Sequence, residues 1–448
     1  MAGVEEADVV VVGLGPGGEN AAGLLAEAGL DVVAVEAGLV GGECPYYGCV
    51  PTKMLVRAAE TLGEARRVDR LAGRARVEPD YRVPATRVRD EATDGWHDKA
   101  AADRLTGKGV RLVRGYGTLT GPREVAVGGR VFRGRRGVLL NPGTEPAVPP
   151  IDGLAGTPFW TNRDAVKAHE APRSLVVLGG GAIGVELAQV YARFGTEVTL
   201  VEGAERLIAT HEPEAGELLG RVFAAEGITV HTGTRASRVE HSSEGFGLEF
   251  GGGSVSGERL LVATGRRTDL ERLGVASVGL DPRARSIPVD GRMRAGDGLW
   301  AIGDVVGEGA FTHVSMYQSA VAVRDILGQD GPEADYHALP HVTFTDPEIG
   351  VVGVTEAQAR AHGRPVRTTL TPITESTRGW IHEAEGFLKL VADGDHLVGA
   401  TVAAPYGGEI MGFLALAVQA RVPLGTLRHM MYAYPTFYRV IETGLQDL

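Results

Sequence analysis

The strongest constraint on the fold is a strand–turn–helix–strand unit that occurs twice, 166 positions apart. In the first copy, residues 8–12 read as a buried parallel strand, Gly13-Leu14-Gly15-Pro16-Gly17-Gly18 as a tight turn, and residues 19–28 as a helix ended by Gly29. A strand over residues 31–35 then closes on Glu36. In the second copy, the strand is residues 175–178, the turn is Gly179-Gly180-Gly181-Ala182-Ile183-Gly184, and the helix is residues 185–194. Gly195 ends that helix, and a strand over residues 197–201 closes on Glu202. Gly13, Gly15, Gly18, Gly29 and Glu36 fall in register with Gly179, Gly181, Gly184, Gly195 and Glu202. The first glycine of such a turn allows the bend, the second lets backbone approach a pyrophosphate, and the third lets helix pack on strand. The helix N-terminus then offers free N–H groups to phosphates. One such turn is weak evidence for a dinucleotide site. Two in the same context, each with its terminal acid, are strong evidence.

The rest of the chain divides around these units. Residues 88–105 read as one long helix, and residues 110–113, 136–140, 259–264 and 298–302 as strands. Pro/Gly-containing stretches at 146–156 and 329–340 mark boundaries. Beyond His341 the pattern becomes α+β, with strands at 342–344, 349–354, 387–392 and 396–403 and helices at 408–420 and 435–444. The net charge of −12 argues against a nucleic-acid partner. No apolar run is long enough to span a membrane, and the acidic start leads straight into a strand, unlike a signal peptide. The expected setting is cytoplasmic, where a disulfide is more often catalytic than structural.

Only two cysteines occur, Cys44 and Cys49, in Gly41-Gly42-Glu43-Cys44-Pro45-Tyr46-Tyr47-Gly48-Cys49-Val50-Pro51-Thr52-Lys53. Two thiols are too few for a zinc site but enough for a disulfide that closes and reopens. A helix expected over residues 51–67 puts Cys49 at its N-terminus, which favours the thiolate. Residues five apart on a regular helix are about 7.5 Å apart along its axis, too far to bridge. Pro45 and Gly48 point to an irregular turn that brings the sulfurs together. Glu36 and Glu202 can each accept hydrogen bonds from a ribose diol, and Glu202 favours NADH by repelling a 2′-phosphate, with Arg206 nearby to blur that preference. Asp304 either binds a sugar hydroxyl or caps the next helix. His313, His337, His341 and His362 show no metal-ligand spacing, so no metal site is expected.

These motifs, with Ala263-Thr264-Gly265-Arg266, Ala301-Ile302-Gly303-Asp304 and Phe344-Thr345-Asp346-Pro347-Glu348-Ile349-Gly350, resemble the pyridine nucleotide–disulfide oxidoreductases over the whole chain. That is the family of dihydrolipoamide dehydrogenase, glutathione reductase and mercuric reductase. The resemblance implies an α/β fold with two Rossmann-like domains and a C-terminal α+β dimerisation domain. It implies an FAD-binding domain over residues 1–148 and 265–336, an NAD(P)-binding domain over 149–264 and an interface domain over 337–448. FAD would be held by Gly13, Gly15, Gly18, Gly42, Lys53, Gly303, Glu36 at its ribose and Asp304 at its ribityl chain. NADH or NADPH, with NADH favoured, would be held by Gly179, Gly181, Gly184, Glu202 and Gly265. Cys49 would face the flavin and Cys44 would attack the substrate, with Lys53 near flavin N5 and paired with Glu186. The implied partners are a second copy of the chain and a small-molecule disulfide or other electron acceptor.

The chain departs from the family pattern in three places. Disulfide-reducing members carry His-Pro-x-x-x-Glu near the C-terminus as an acid–base pair. Here the segment is Tyr434-Pro435-Thr436-Phe437-Tyr438-Arg439, and an ordinary tyrosine, with a pKa near 10, is a poor proton shuttle at neutral pH. Tyr434, Tyr438 and His429 are the candidates to stand in for that histidine. Asn141-Pro142-Gly143-Thr144 replaces the usual Ala-Thr-Gly-Ser, and Tyr46-Tyr47 adds aromatics to the cysteine loop. The functions left open are thiol-mediated reduction of an unidentified acceptor, diaphorase-type reduction of quinones or metal ions without thiol chemistry, chemistry like that of 2-ketopropyl-coenzyme M oxidoreductase/carboxylase, and a non-catalytic redox sensor.

Overall fold

A computed structural model describes residues 3–448, so that Met1 and Ala2 of the expected first domain lie outside the described residues. The chain forms two compact units. One comprises residues up to 54 with 83–147 and 265–335, and the other comprises 55–82, 148–264 and 336–448.

The first unit is built on a sheet in the order Arg294–Gly296, Leu299–Ala301, Arg130–Leu140, Val4–Val12, Val32–Glu36 and Arg111–Arg114. The four pairings from Leu299–Ala301 through to Arg111–Arg114 are parallel. The pleat sends alternate valines of Val4–Val12 to opposite faces. Val9 and Val11 pack with Leu25, Leu105 and Ile326. Val10 and Val12 pack with Phe132, Leu140 and Val305. Both faces are covered, so the strand reads as a run of valines and not as an alternation. The first Gly-rich helix is Pro16–Glu27, three residues earlier at its start than expected, because Pro16 is itself well suited to a first helical position.

In the second unit, Thr229–His231, Glu197–Val201, Ser174–Leu178 and Arg259–Val262 form a parallel sheet around the helix Ala182–Arg193. A meander of Ala236–Ser242, Gly245–Phe250 and Gly253–Gly257 adds Val239, Phe246 and Leu248 to the same core. The C-terminal part is an antiparallel sheet ordered Pro340–Thr343, Glu348–Gly353, His396–Ala404, Phe387–Asp393 and Arg367–Pro372. The apolar helix Gly407–Gln419 packs on it through Ile410, Met411, Leu414 and Val418.

Two expected helices are corrected. Residues 88–105 are not continuous: a wide turn at Val88–Ala92 and a short 3-10 turn at Asp94–Trp96 precede the helix Lys99–Gly107. Asp94, Gly95 and Trp96 take left-handed backbone angles there, and Thr93 Oγ1 accepts the Trp96 N–H. The break lets Trp96 Nε1 donate to the carbonyl of Tyr46, in the cysteine loop, at 3.1 Å. Residues 435–444 likewise begin as a 3-10 turn, Phe437–Arg439, before the helix Val440–Gln446.

Candidate active site

The cysteine loop is an interrupted helix. Cys44 lies in the short helix Glu43–Tyr46, and Cys49 opens the long helix Cys49–Leu71. Gly48, whose N–H returns to the carbonyl of Glu43 at 2.7 Å, separates the two. The irregular turn expected from Pro45 and Gly48 is therefore present, and it brings both sulfurs into one hydrogen-bonded pair of free thiols. Hydrogen bonding from the Cys44 thiol lowers the Cys49 pKa to about 6, helped by Thr312 and by the charge of Lys53. The same bond, together with burial, pushes the Cys44 thiol up. Of the two thiols, Cys49 is the one whose surroundings favour the thiolate. Thr312 Oγ1 is 3.4 Å from Cys49 Sγ at the start of the helix Thr312–Ile326. Of the two added aromatics, Tyr46 is buried and belongs to the support of the loop.

The two Gly-rich turns share one construction. A Cβ on Gly13 would stand 2.2 Å from the Asn141 carbonyl oxygen, and one on Gly18 would stand 2.1 Å from that of Gly13, so only hydrogen fits at either position. Glu36 accepts the N–H groups of Leu14 and Gly38, both at 2.6 Å. Glu202 accepts those of Gly180 and Ala204 in the same way. Burial raises the Glu36 pKa against those hydrogen bonds. A Cβ on Gly42 would come 2.9 Å from the Gly15 Cα, which places the cysteine loop directly against the first turn.

Asp304 does not cap a helix. It sits in the short turn Gly303–Val306, where its Oδ2 accepts the Thr144 hydroxyl at 2.7 Å. Thr144 Oγ1 in turn accepts Arg266 Nε at 2.6 Å, immediately after Gly265. Gln318 Oε1, fully buried, accepts the Gly303 N–H. In the second unit, Glu186 is buried on the helix Ala182–Arg193 and accepts the Phe344 N–H at 2.9 Å. Lys53 lies in the first turns of the helix Cys49–Leu71, close enough to act electrostatically on both sulfurs.

The C-terminal segment carries Tyr434 and Arg439 at the two positions of the family's His–Glu pair. Tyr434 is 65% exposed, and its hydroxyl is 3.2 Å from Thr377 Oγ1. The Arg439 guanidinium lies 5.2 Å from the Tyr434 ring centre and pairs with Glu442. A cation cannot accept and orient a proton donor as a glutamate does. Tyr438 accepts the Ala433 N–H within a cluster of Phe413 and Tyr432, and His429 is exposed. Thr312 and Gln318 escaped the sequence reading of the site, and Arg266 entered it only as part of a motif. Their partners are distant in the chain, and no motif marks a threonine or glutamine as a neighbour of a sulfur or a turn.

Residues 7–323 match the family model of the pyridine nucleotide-disulphide oxidoreductases, and residues 339–444 match the dimerisation domain of the same family. The chain belongs to the class I pyridine nucleotide-disulphide oxidoreductases. This oxidoreductase is 36% identical to a dihydrolipoyl dehydrogenase of Thermus scotoductus, over 98% of this chain and 96% of that one. It is 33% identical to a mercuric reductase of Streptomyces lividans, over 98% and 95%. Its fold matches the copper(II) complex of the HOCl-induced flavoprotein disulfide reductase RclA from Escherichia coli, with a TM-score of 0.87 at 24% identity and 99% of each chain covered. The protein is an NAD(P)H-dependent flavoprotein disulfide oxidoreductase resembling dihydrolipoyl dehydrogenase, with an α/β nucleotide-binding part and a dimerisation domain. Among the described residues, no helix is long and apolar enough to cross a membrane.

The residues present fit the two nucleotides the family uses. Both Gly-rich turns lead into helix N-termini whose N-cap residues, Gly15 and Gly181, have no capping side chain, and the Gly181 Cα faces open space where a side chain would otherwise stand. The helix N-termini and their local dipole suit a pyrophosphate.

Proposed function

We propose that this oxidoreductase uses Cys44 and Cys49 to reduce a thiophilic metal ion, with NADH as the electron source. The observation that carries the reading is the Tyr434 and Arg439 pair, which stands where disulfide reductases keep an acid–base pair. Reducing a disulfide expels a thiolate that must be protonated. A soft metal ion is captured by thiolates directly and has no leaving group to protonate. The mercuric reductases among the relatives, and a structural neighbour that is a copper(II) complex, point the same way.

The first Gly-rich unit, Glu36, Gly42, Lys53, Gly303 and Asp304 hold FAD in this reading. The second unit, with Gly265, holds the nicotinamide nucleotide, and Glu202 selects NADH by charge. FAD supplies the relay between a two-electron hydride donor and the thiol pair. Cys49 is the thiolate turned to the flavin, and Cys44 is the thiol that meets the acceptor. Lys53 supports the Cys49 thiolate, and Glu186 braces the segment at Phe344. In this reading the domains are FAD-binding 1–148 and 265–336, NAD(P)-binding 149–264 and interface 337–448. Trp380, Leu416, Met431 and Tyr434, each at least 65% exposed in the C-terminal part, supply apolar surface for a homodimer. A cytoplasmic setting keeps the thiols reduced between turnovers.

A small disulfide is the second reading, favoured by the dihydrolipoyl dehydrogenase of Thermus scotoductus at 36% identity. A panel of mercuric ion, cupric ion, lipoamide, glutathione disulfide and a quinone under NADH separates the two. The metal ions are expected to turn over at least about tenfold faster than either disulfide, and Cys44→Ser to abolish their reduction. Quinone reduction that survives Cys44→Ser marks a separate diaphorase activity. Lipoamide as the fastest acceptor removes the metal-ion reading.

A further inference from the structure

We infer that Asn141 is a positioning residue that holds the first nucleotide turn in its binding geometry and so slows release of the cofactor bound there. The inference rests on the reading that the first turn holds FAD. Asn141 follows the strand Arg130–Leu140, is 4% exposed, and spends its whole amide on three elements. Its Oδ1 accepts the Gly18 N–H at 2.7 Å, in the first turn of the helix Pro16–Glu27. Its Nδ2 donates to the carbonyl of Ile302 at 2.9 Å, one residue before Gly303 and two before Asp304. The same Nδ2 lies 3.3 Å from Ser315 Oγ, on the helix that begins at Thr312. One buried amide therefore ties the pyrophosphate turn to the Asp304 turn and to the helix whose first residue touches Cys49.

The second unit provides an internal comparison. Ala263 occupies the position of Asn141: its N–H donates to the carbonyl of Leu178 at 2.8 Å, as that of Asn141 donates to Val12 at 2.7 Å. A Cβ on Gly179 would meet the Ala263 carbonyl oxygen at 2.4 Å, as one on Gly13 would meet that of Asn141 at 2.2 Å. The backbones correspond, but a methyl group can neither accept the Gly184 N–H nor reach a neighbouring carbonyl. A turn locked in its binding geometry loses less conformational freedom when it takes its ligand, and it releases that ligand more slowly.

The test is the rate at which FAD leaves the holoenzyme on dilution, followed by flavin fluorescence, alongside the Kd for NAD+. Asn141→Ala is expected to speed FAD loss by about tenfold or more, the scale of a lost buried hydrogen bond, and to leave NAD+ affinity within about twofold. A purely structural role would weaken both sites together. If Asn141→Ala does not fold, Asn141→Asp fills the same volume and still accepts the Gly18 N–H but offers Ile302 no donor, so it should also lose FAD faster at pH 7. FAD loss at the parent rate in the folded variant overturns the inference. A parent protein that neither carries nor takes up FAD instead overturns the reading beneath it.

Discussion

Cys44 and Cys49 shift each other in opposite directions. The neighbouring Cys44 thiol lowers the Cys49 pKa while its own rises, Thr312 hydrogen-bonds the Cys49 sulfur, and Lys53 adds positive charge. A thiol whose pKa is lowered to about 6 is ionised above that pH and protonated below it. Thiolate absorbance near 240 nm in the reduced protein should therefore rise as pH passes upward through about 6, with one thiolate per chain. Cys44→Ala removes the main donor, and the midpoint should move up by about one unit or more, towards the ordinary thiol range. A midpoint that stays near 6 in that variant would assign the ionisation to Lys53 and Thr312 alone. The cysteine spacing and the helix expected to follow it made both the pair and the thiolate at Cys49 legible in the sequence. The hydrogen bond with Thr312, 263 positions from Cys49 and without a motif of its own, was not.

The two Gly-rich units were legible as elements because their backbone leaves no alternative to glycine at Gly13, Gly18 and their counterparts. The segment at 88–105 was not, because its periodicity suits a helix while Thr93 and the left-handed run at Asp94, Gly95 and Trp96 break it. The meander over 236–257 was missed for a different reason. Its first strand is mostly exposed, with Val239 its only fully buried side chain, so the alternation that marks a strand is faint. Asn141 was visible as a departure from the family, yet its amide partners stand 123, 161 and 174 positions away. Ion pairs between elements were equally hidden. Lys389, on the strand Phe387–Asp393, is 7% exposed at its side chain and meets Glu212, Glu214 and Glu356 at 2.8–3.0 Å. Lys389→Met leaves three carboxylates facing one another, Glu212 among them almost fully buried. The expected loss is about 3–5 kcal/mol, read as a clear fall in the thermal midpoint. Arg76→Ala, which breaks an ion pair exposed by more than 80% on both sides, should leave that midpoint nearly where it was. Equal effects from the two variants would remove the network from the stability of this part.

At the scale of the whole chain, the family and its order of motifs were legible from residue 13 to residue 350, because each motif answers to a demand of backbone geometry or cofactor charge. What the enzyme reduces was not legible in the same way, since the acceptor meets the thiol pair through residues that carry no such demand. The central claim is that proton handling, and not electron supply, sets the acceptor: Tyr434 and Arg439 leave a thiol pair suited to metal ions and poor with disulfides. The most direct test restores the pair that disulfide reductases use, Tyr434→His together with Arg439→Glu, and measures NADH-driven lipoamide turnover relative to mercuric-ion turnover. General acid–base catalysis is worth about 10²–10⁴-fold, so that ratio should rise by about a hundredfold or more over the parent. A parent that already reduces lipoamide as fast as the double variant would contradict the account.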